Sequence, residues 1–166
     1  MHDDRHFFEH IILEGAQAGL SWITILKRRE NYRKAFDNFD VKKVANYDEK
    51  KIEELVNDAG IIRNRLKIKS AVKNAKVFID ILKEFGSFDK YFWGFTEGKI
   101  IDNQIKTMRE IQATSELSDK IAADLKKRGM SFMGSTIVYA MMQSVGMVND
   151  HEISCFRHDE LEENKK

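Results

Sequence analysis

Apolar residues recur along this chain at three- and four-residue intervals and seldom alternate, which is the periodicity of helices rather than strands. Phe7, Phe8, Ile11, Ile12 and Gly15 fall on one face of a first helix, capped at Asp3 or Asp4 and running to about Gly19. Gly19-Leu20 is a turn. Ser21 is a good cap for a second helix from Trp22 to about Phe36, with Ile23, Ile25, Leu26, Tyr32, Ala35 and Phe36 as its core face. Asp40 or Asn46 to Asp48 reads as a short helix, a turn and a cap, and Glu49 to Asn57 as a helix burying Ile52, Leu55 and Val56. A hairpin over 59–65 leads into a longer helix from about Arg65 to Glu84, apolar at Ile68, Ala71, Val72, Ala75, Phe78, Ile79 and Leu82.

Further on, Phe88, Tyr91, Phe92, Trp93 and Phe95 are dense enough to be core, although aromatics can also stack on nucleic acid. Ile100 to Thr114 lacks a pattern and reads as a surface loop turning at Asp102-Asn103. Ser115 or Ser118 caps a helix to about Arg128, which Gly129 stops. Phe132 to Met147 is apolar nearly all round and is expected to be the central buried helix. The expected fold is all-α, a single compact helical domain over 1–158, followed by a charged tail over 159–166 expected to be disordered. The chain has no Pro, where average usage of about 5% would supply roughly eight, which agrees with long helices.

With 166 residues, 42% of them hydrophobic and 33% charged, the chain is long enough to bury a core without disulfides. No run approaches the roughly 18 apolar residues of a membrane span. One cysteine forms no internal disulfide and suits a reducing compartment, so the cytoplasm is the expected location. The net charge of +1 gives no global attraction to nucleic acid. Any DNA affinity must come from local clusters: Lys27-Arg28-Arg29, the stretch Arg63 to Lys69, and Lys126-Lys127-Arg128.

The most informative stretch is Leu13 to Trp22, where a helix ends in small residues between a carboxylate, Glu14, and an indole, Trp22. Negative charge beside an aromatic face is a pocket for a flat cation, the stacking being worth roughly 1–2 kcal/mol when water is excluded. The plain alternative is a solvated Glu14 and a core Trp22. The 59–65 hairpin resembles a helix-hairpin-helix, in which free N–H groups at the start of the second helix hold one DNA phosphate. Gly60, Ile62, Arg63 and Arg65 would carry that contact, although Leu66 stands where a small residue is expected.

Four blocks in order, LEGAQAGLSW with the ITILKRRENYR that follows it, DAGIIRNR, KRGMSFMGST, and VNDH with Cys155, resemble the 3-methyladenine DNA glycosylase I family. The resemblance implies a monofunctional N-glycosylase that flips a damaged base out of alkylated double-stranded DNA and replaces it at C1′ with water, releasing free 3-methyladenine. Glu14 would then accept hydrogen bonds from the base edge and serve as the catalytic residue, and Trp22 would stack on the ring. Leu20 is placed either to wedge into the base stack or to pack inside. Family members begin with a segment ahead of this chain's Met1 that carries a Cys, a His and pocket aromatics, so the chain is expected to be shortened at its N-terminus relative to the family.

In the family, the positions of His151 and Cys155 match two ligands of a structural zinc ion completed from that segment. Here they are half a site, with His158 and His2 as substitute ligands. His6 and His10, one helical turn apart, have no further Cys or His nearby and read as surface. A monomer is expected. The competing readings are a catalytically impaired DNA-binding or damage-sensing module of the same fold, and a helical protein-interaction domain in which Glu14 and Trp22 are structural.

Overall fold

A computed structural model of the chain describes residues 2–163. It is all-α apart from one minimal parallel bridge. Helix α1 (Asp4–Gln17) starts where Asp3 accepts hydrogen bonds from the amides of Arg5 and His6, and it buries Phe7, Phe8, Ile11, Ile12 and Leu13. Its companion through the core is α6 (Arg65–Phe85), capped by Asn64 and ended by Gly86 at φ +84°. Around α6 pack α1, α4 (Val41–Ala45), α5 (Glu49–Asn57) and α7 (Phe88–Trp93). Helices α8 (Glu116–Arg128) and α9 (Ser135–Val145) pair with each other, and α9 also lies against α1.

Aromatic packing fixes α7 on this pair, as the aromatic density of 88–93 predicts. Phe78 stacks on Phe88 with ring centres 4.4 Å apart, and Phe7 meets Phe88 and Phe92 at 5.4 and 5.5 Å. For α8, both candidate caps act together. Ser115 accepts from the Ser118 amide while the Ser118 hydroxyl accepts from the Ser115 amide.

Several expectations need correction. The helix expected from Trp22 to Phe36 is two, α2 (Trp22–Leu26) and α3 (Arg29–Ala35), broken where Arg28 leaves helical geometry and donates to the Ala59 carbonyl at 2.8 Å. Of its first apolar residues only Ile25 is buried, because residues 23, 25 and 26 cannot share one face of so short a helix, and Ile23 and Leu26 are exposed. The helix expected from Phe132 begins at Ser135, since Phe132 adopts a left-handed φ of +57° that no helix interior accommodates. It is also one-sided, with Val138, Tyr139, Met141, Met142 and Val145 buried and Gln143 and Ser144 exposed, so α6 is the central helix.

The loop from Ile100 to Thr114 holds a strand pair too short to show a period of two: β1 (Ile101–Asp102) runs parallel to β2 (Val148–Asn149). His10 is half-buried, not on the surface, and its Nδ1 has no hydrogen-bond partner among the described residues. Helix α10 (Phe156–Glu163) carries helical structure into the charged tail expected to be disordered, and residues 164–166 lie outside the described ones. Among the described residues, no helix is long and apolar enough to cross a membrane.

Glu9 is buried on α1, a position the hydrophobic pattern does not mark. Burial opposes its ionisation, but Arg29 at 2.6 Å, with Arg33 beyond, outweighs that and holds the carboxyl below its ordinary value. Its stabilising effect is present above the ordinary value of 4.5 and is lost as pH falls through the lower folded value. Glu9→Gln should therefore cost about 1–3 kcal/mol at pH 7 in urea unfolding. The deficit should shrink when the same titration is run at acid pH.

Candidate active site

The end of α1 is built as a type II turn. Ala18 lies at φ −46°, ψ 115° and Gly19 at φ +79°, and the Leu20 amide donates to the Gln17 carbonyl at 2.6 Å. A side chain at Gly19 would meet nothing within 4 Å, so its requirement is conformational and not steric. Gln17 closes the turn a second time, its Nε2 donating to the Leu20 carbonyl at 2.8 Å. Leu20 is thereby held out at 37% exposure, which excludes the inward packing weighed for it.

One turn before this, Glu14 is 5% exposed, and no hydrogen bond or charge among the described residues acts on its carboxylate. Burial alone pushes its pKa up to about 7. Glu14 and the half-buried Trp22 line the same cavity, of about 550 Å³, so the carboxylate and the indole are brought together as the sequence suggests. The reading of Glu14 as a solvated surface residue is excluded.

The opposite wall comes from α9 and the strand that follows it, which supply Ala140, Gln143, Ser144, Asp150 and His151. The sequence pattern marks no pocket role for Gln143, Ser144 or Asp150. The signal was there in Gln143 and Ser144, two polar residues in an otherwise apolar helix. Asp150 is well satisfied, accepting from Tyr139 Oη at 2.9 Å, Gln143 Nε2 at 2.7 Å and Asn103 Nδ2 at 2.6 Å. The cavity therefore holds one carboxylate with three neutral donors and one with none. Met108 and Ile111 complete the rim, on a segment tied down by Glu152 accepting from the Met108 amide at 2.8 Å.

The hairpin between α5 and α6 lies apart from this cavity. Two of the amides expected to be free are occupied: Gly60 N–H donates to Asp58 Oδ1 at 2.7 Å and Ile62 N–H to Tyr32 Oη at 3.2 Å. Those of Arg63, Arg65 and Leu66 have no partner among the described residues. Arg65 folds back on Glu53 and Glu49, whereas Arg63 is exposed and makes no ion pair among the described residues. The aromatic run 88–93 is core and carries no stacking surface.

The ligand pair read from the sequence is not completed among the described residues. Among those described, no three His, Cys, Asp or Glu side chains converge so as to hold a metal ion. His151 is exposed and Cys155 is a free thiol. His158 is committed to Asp102 and Asp159, at 3.2 and 3.3 Å, and His2 to Asp89 at 2.7 Å. The donor set does not fit the ion, and no chemistry below runs through it.

The methyladenine glycosylase family model matches residues 1–158 of this chain. DNA-3-methyladenine glycosylase 1 of Escherichia coli (strain K12) is 46% identical over 153 residues, which span 92% of this chain and 82% of that protein. The Haemophilus influenzae DNA-3-methyladenine glycosylase is 44% identical, covering 92% and 83%. Among solved structures, the 3-methyladenine DNA glycosylase I of Staphylococcus aureus, described for its recognition of 3-methyladenine, superposes with a TM-score of 0.91 at 31% identity, covering 94% of this chain and 83% of that one. A turn that presents Leu20, a desolvated Glu14 facing Trp22 and a matching family model across nearly all the chain agree: the chain belongs to the methyladenine glycosylase family.

Proposed function

We propose that this protein excises 3-methyladenine from alkylated double-stranded DNA, acting as a monomer in the cytoplasm, with Glu14 and Trp22 holding the extruded base. The observation that carries the proposal is the buried, unpaired Glu14 carboxylate in a cavity it shares with Trp22. A buried carboxylate without donors costs stability, and a purely structural helix would gain nothing from keeping one, whereas a pocket that holds a cationic base would.

An adenine methylated at N3 in DNA carries a positive charge, so its bond to C1′ is already weak. As that bond breaks, its electron pair goes to the departing base and cancels the charge. Water supplies the oxygen that bonds to C1′ and gives up one proton. The protein need not protonate the leaving group; it needs to bind the cation and exclude neutral adenine. Ionised Glu14 attracts the ring charge and accepts from the base edge, while Trp22 offers its face. Leu20, held out by the Gln17 turn, would fill the gap left in the base stack, a reading its exposure supports. The free amides of Arg63, Arg65 and Leu66 at the start of α6, with the Arg63 guanidinium, suit one backbone phosphate in a helix-hairpin-helix contact.

Glu14→Gln should lower release of 3-methyladenine from methylated duplex DNA by about tenfold or more. Undiminished release would remove Glu14 from the mechanism, and no release by the unsubstituted chain would favour a non-catalytic damage sensor. Wild-type release should also rise with pH towards about 7 as Glu14 ionises, a limb the variant should lack.

The same substitution should stabilise the fold. A raised folded pKa means that stability is fully present below the ordinary 4.5 and declines until about pH 7, a total of roughly 3 kcal/mol. Urea unfolding at pH 8 should show Glu14→Gln to be the more stable protein, with little difference at pH 4.

Arg63→Ala should weaken DNA binding about equally across sequences and make log K against log salt shallower by about one. An unchanged slope in fluorescence anisotropy titrations would mean that the hairpin does not meet phosphate.

A further inference from the structure

The buried face of α6 is apolar except for one row. Lys67, Ser70 and Asn74 follow one another at three- and four-residue spacing, and Ser70 and Asn74 are buried among core residues. Two of the three reach away from α6 to backbone, Lys67 to the residues that follow Glu14 and Asn74 to the segment next to Phe132, which packs on Gly15.

Lys67 Nζ donates to the carbonyls of Ala16 and Ala18 at 2.9 and 2.6 Å. Those carbonyls belong to the end of α1, whose last turn contains no basic residue and whose C-cap is Ala18, not glycine. The C-terminal charge complement of α1 therefore comes from another helix. Lys67 also donates its own amide to Asn64 at 3.1 Å, closing the N-terminus of α6. A single residue thus joins the helix start that faces the phosphate contact to the turn that presents Leu20.

Two turns along, Asn74 clasps Ser131 in both directions. Its Nδ2 donates to the Ser131 carbonyl at 2.9 Å and its Oδ1 accepts from the Ser131 amide at 2.9 Å. The next residue, Phe132, holds a left-handed φ of +57°, and its Cβ would lie 3.8 Å from a Cβ at Gly15, which adjoins Glu14. This conformation is unfavourable for a bulky residue and persists because its neighbours are held.

We infer that Lys67 and Asn74 are positioning residues that set Glu14 and the Leu20 turn in register with the phosphate-facing end of α6. Neither lines the cavity around Glu14. They act through backbone, Lys67 on residues 16–18 and Asn74 on the 131–132 segment behind Gly15. Lys67 gives up part of its solvation for this, and burial lowers its pKa. A lysine serving only as a surface cation for DNA would not be folded onto two carbonyls of its own chain.

This inference rests on the excision reading for its catalytic consequence but not for its structural one, and the test separates the two. Lys67→Met and Lys67→Arg are compared with the unsubstituted protein by amide hydrogen exchange, by anisotropy binding to undamaged duplex, and by single-turnover release of 3-methyladenine. The expected result for Lys67→Met is faster exchange concentrated at residues 18–22, DNA affinity within about threefold, and release slowed by roughly tenfold or more, because displacing a reacting group by about an ångström costs rate steeply. Lys67→Arg, which keeps a donor, should recover a large part of the rate. Asn74→Ala serves as the second variant should Lys67→Met fail to fold, with faster exchange expected at 131–133 and the same loss of rate.

Unchanged exchange in both segments would overturn the inference whether or not the protein excises base. So would release at the unsubstituted rate, or a loss of DNA affinity large enough to account for the slower release. Absence of release by the unsubstituted protein, with the exchange changes present, would instead overturn the excision reading and leave the positioning role in place.

Discussion

A nearly buried carboxylate without a donor among the described residues sets the terms for the rest of this molecule. Glu14 is nearly as buried as the leucine and isoleucines before it on α1, and nothing in the protein compensates its charge. Such a group favours unfolding as pH rises, so the surrounding structure has to supply a frame that does not relax to solvate it. The frame is the aromatic joint between α1, α6 and α7, where Phe7, Phe78, Phe88 and Phe92 interlock, together with the backbone contacts from α6. The energetic strain at the site is offset far from the site.

Glu9 and Glu14 lie on the same helix, both almost fully buried, and their chemistry diverges. Glu9 meets Arg29 and Arg33, which hold its carboxyl below the ordinary value against the opposing effect of burial, and it fastens α1 to α3. Glu14 meets no cation, and its pKa rises to about 7. The difference lies in the partner and not in the degree of burial, since desolvation pushes both upward. What Glu14 lacks is what a cationic base would provide. On the proposed reading, the cavity would discriminate by leaving a vacancy of charge that a neutral adenine fills poorly, a selectivity that requires no contact with the methyl group itself.

The parts of this architecture that depend on local chemistry were legible in the sequence. Asp3, Ser115 with Ser118, and Gly129 are end signals whose chemistry is local, so the start of α1 and both ends of α8 were readable, and α6 was bounded to within about a residue. What escaped depends on partners distant in sequence. Arg28 breaks α2 from α3 by reaching Ala59, and Phe132 stays left-handed beside the Asn74 clasp on Ser131. Strands of two residues leave no periodic trace. The pairing of Glu14 with Trp22 was readable because both flank one turn, whereas the opposite wall, with Asp150 and its three donors, comes from residues more than a hundred positions later. The Ile62 amide is hidden from the sequence for the same reason, since Tyr32 arrives from another helix to occupy it, whereas the Gly60 amide is taken locally by Asp58.

The charge distribution bears on how such a protein meets its substrate. A net charge of +1 provides little steering, and two of the cations nearest the hairpin, Arg65 and Lys69, are already engaged with Glu53 and Glu49. On the proposed reading, phosphate affinity would rest on few groups, foremost Arg63, which makes no ion pair among the described residues. Weak, sequence-independent holding is suited to an enzyme that must pass over a large excess of intact DNA, because tight binding to undamaged duplex would trap it there. Discrimination is left to the step at which a base leaves the stack, and at that step the geometry between the α6 start, the Leu20 turn and Glu14 has to be fixed in advance. A loose link among the three would let the protein bind DNA as well as before and extrude bases poorly, which is why the polar contacts that α6 sends to the backbone around Glu14 matter more to function than their small number suggests.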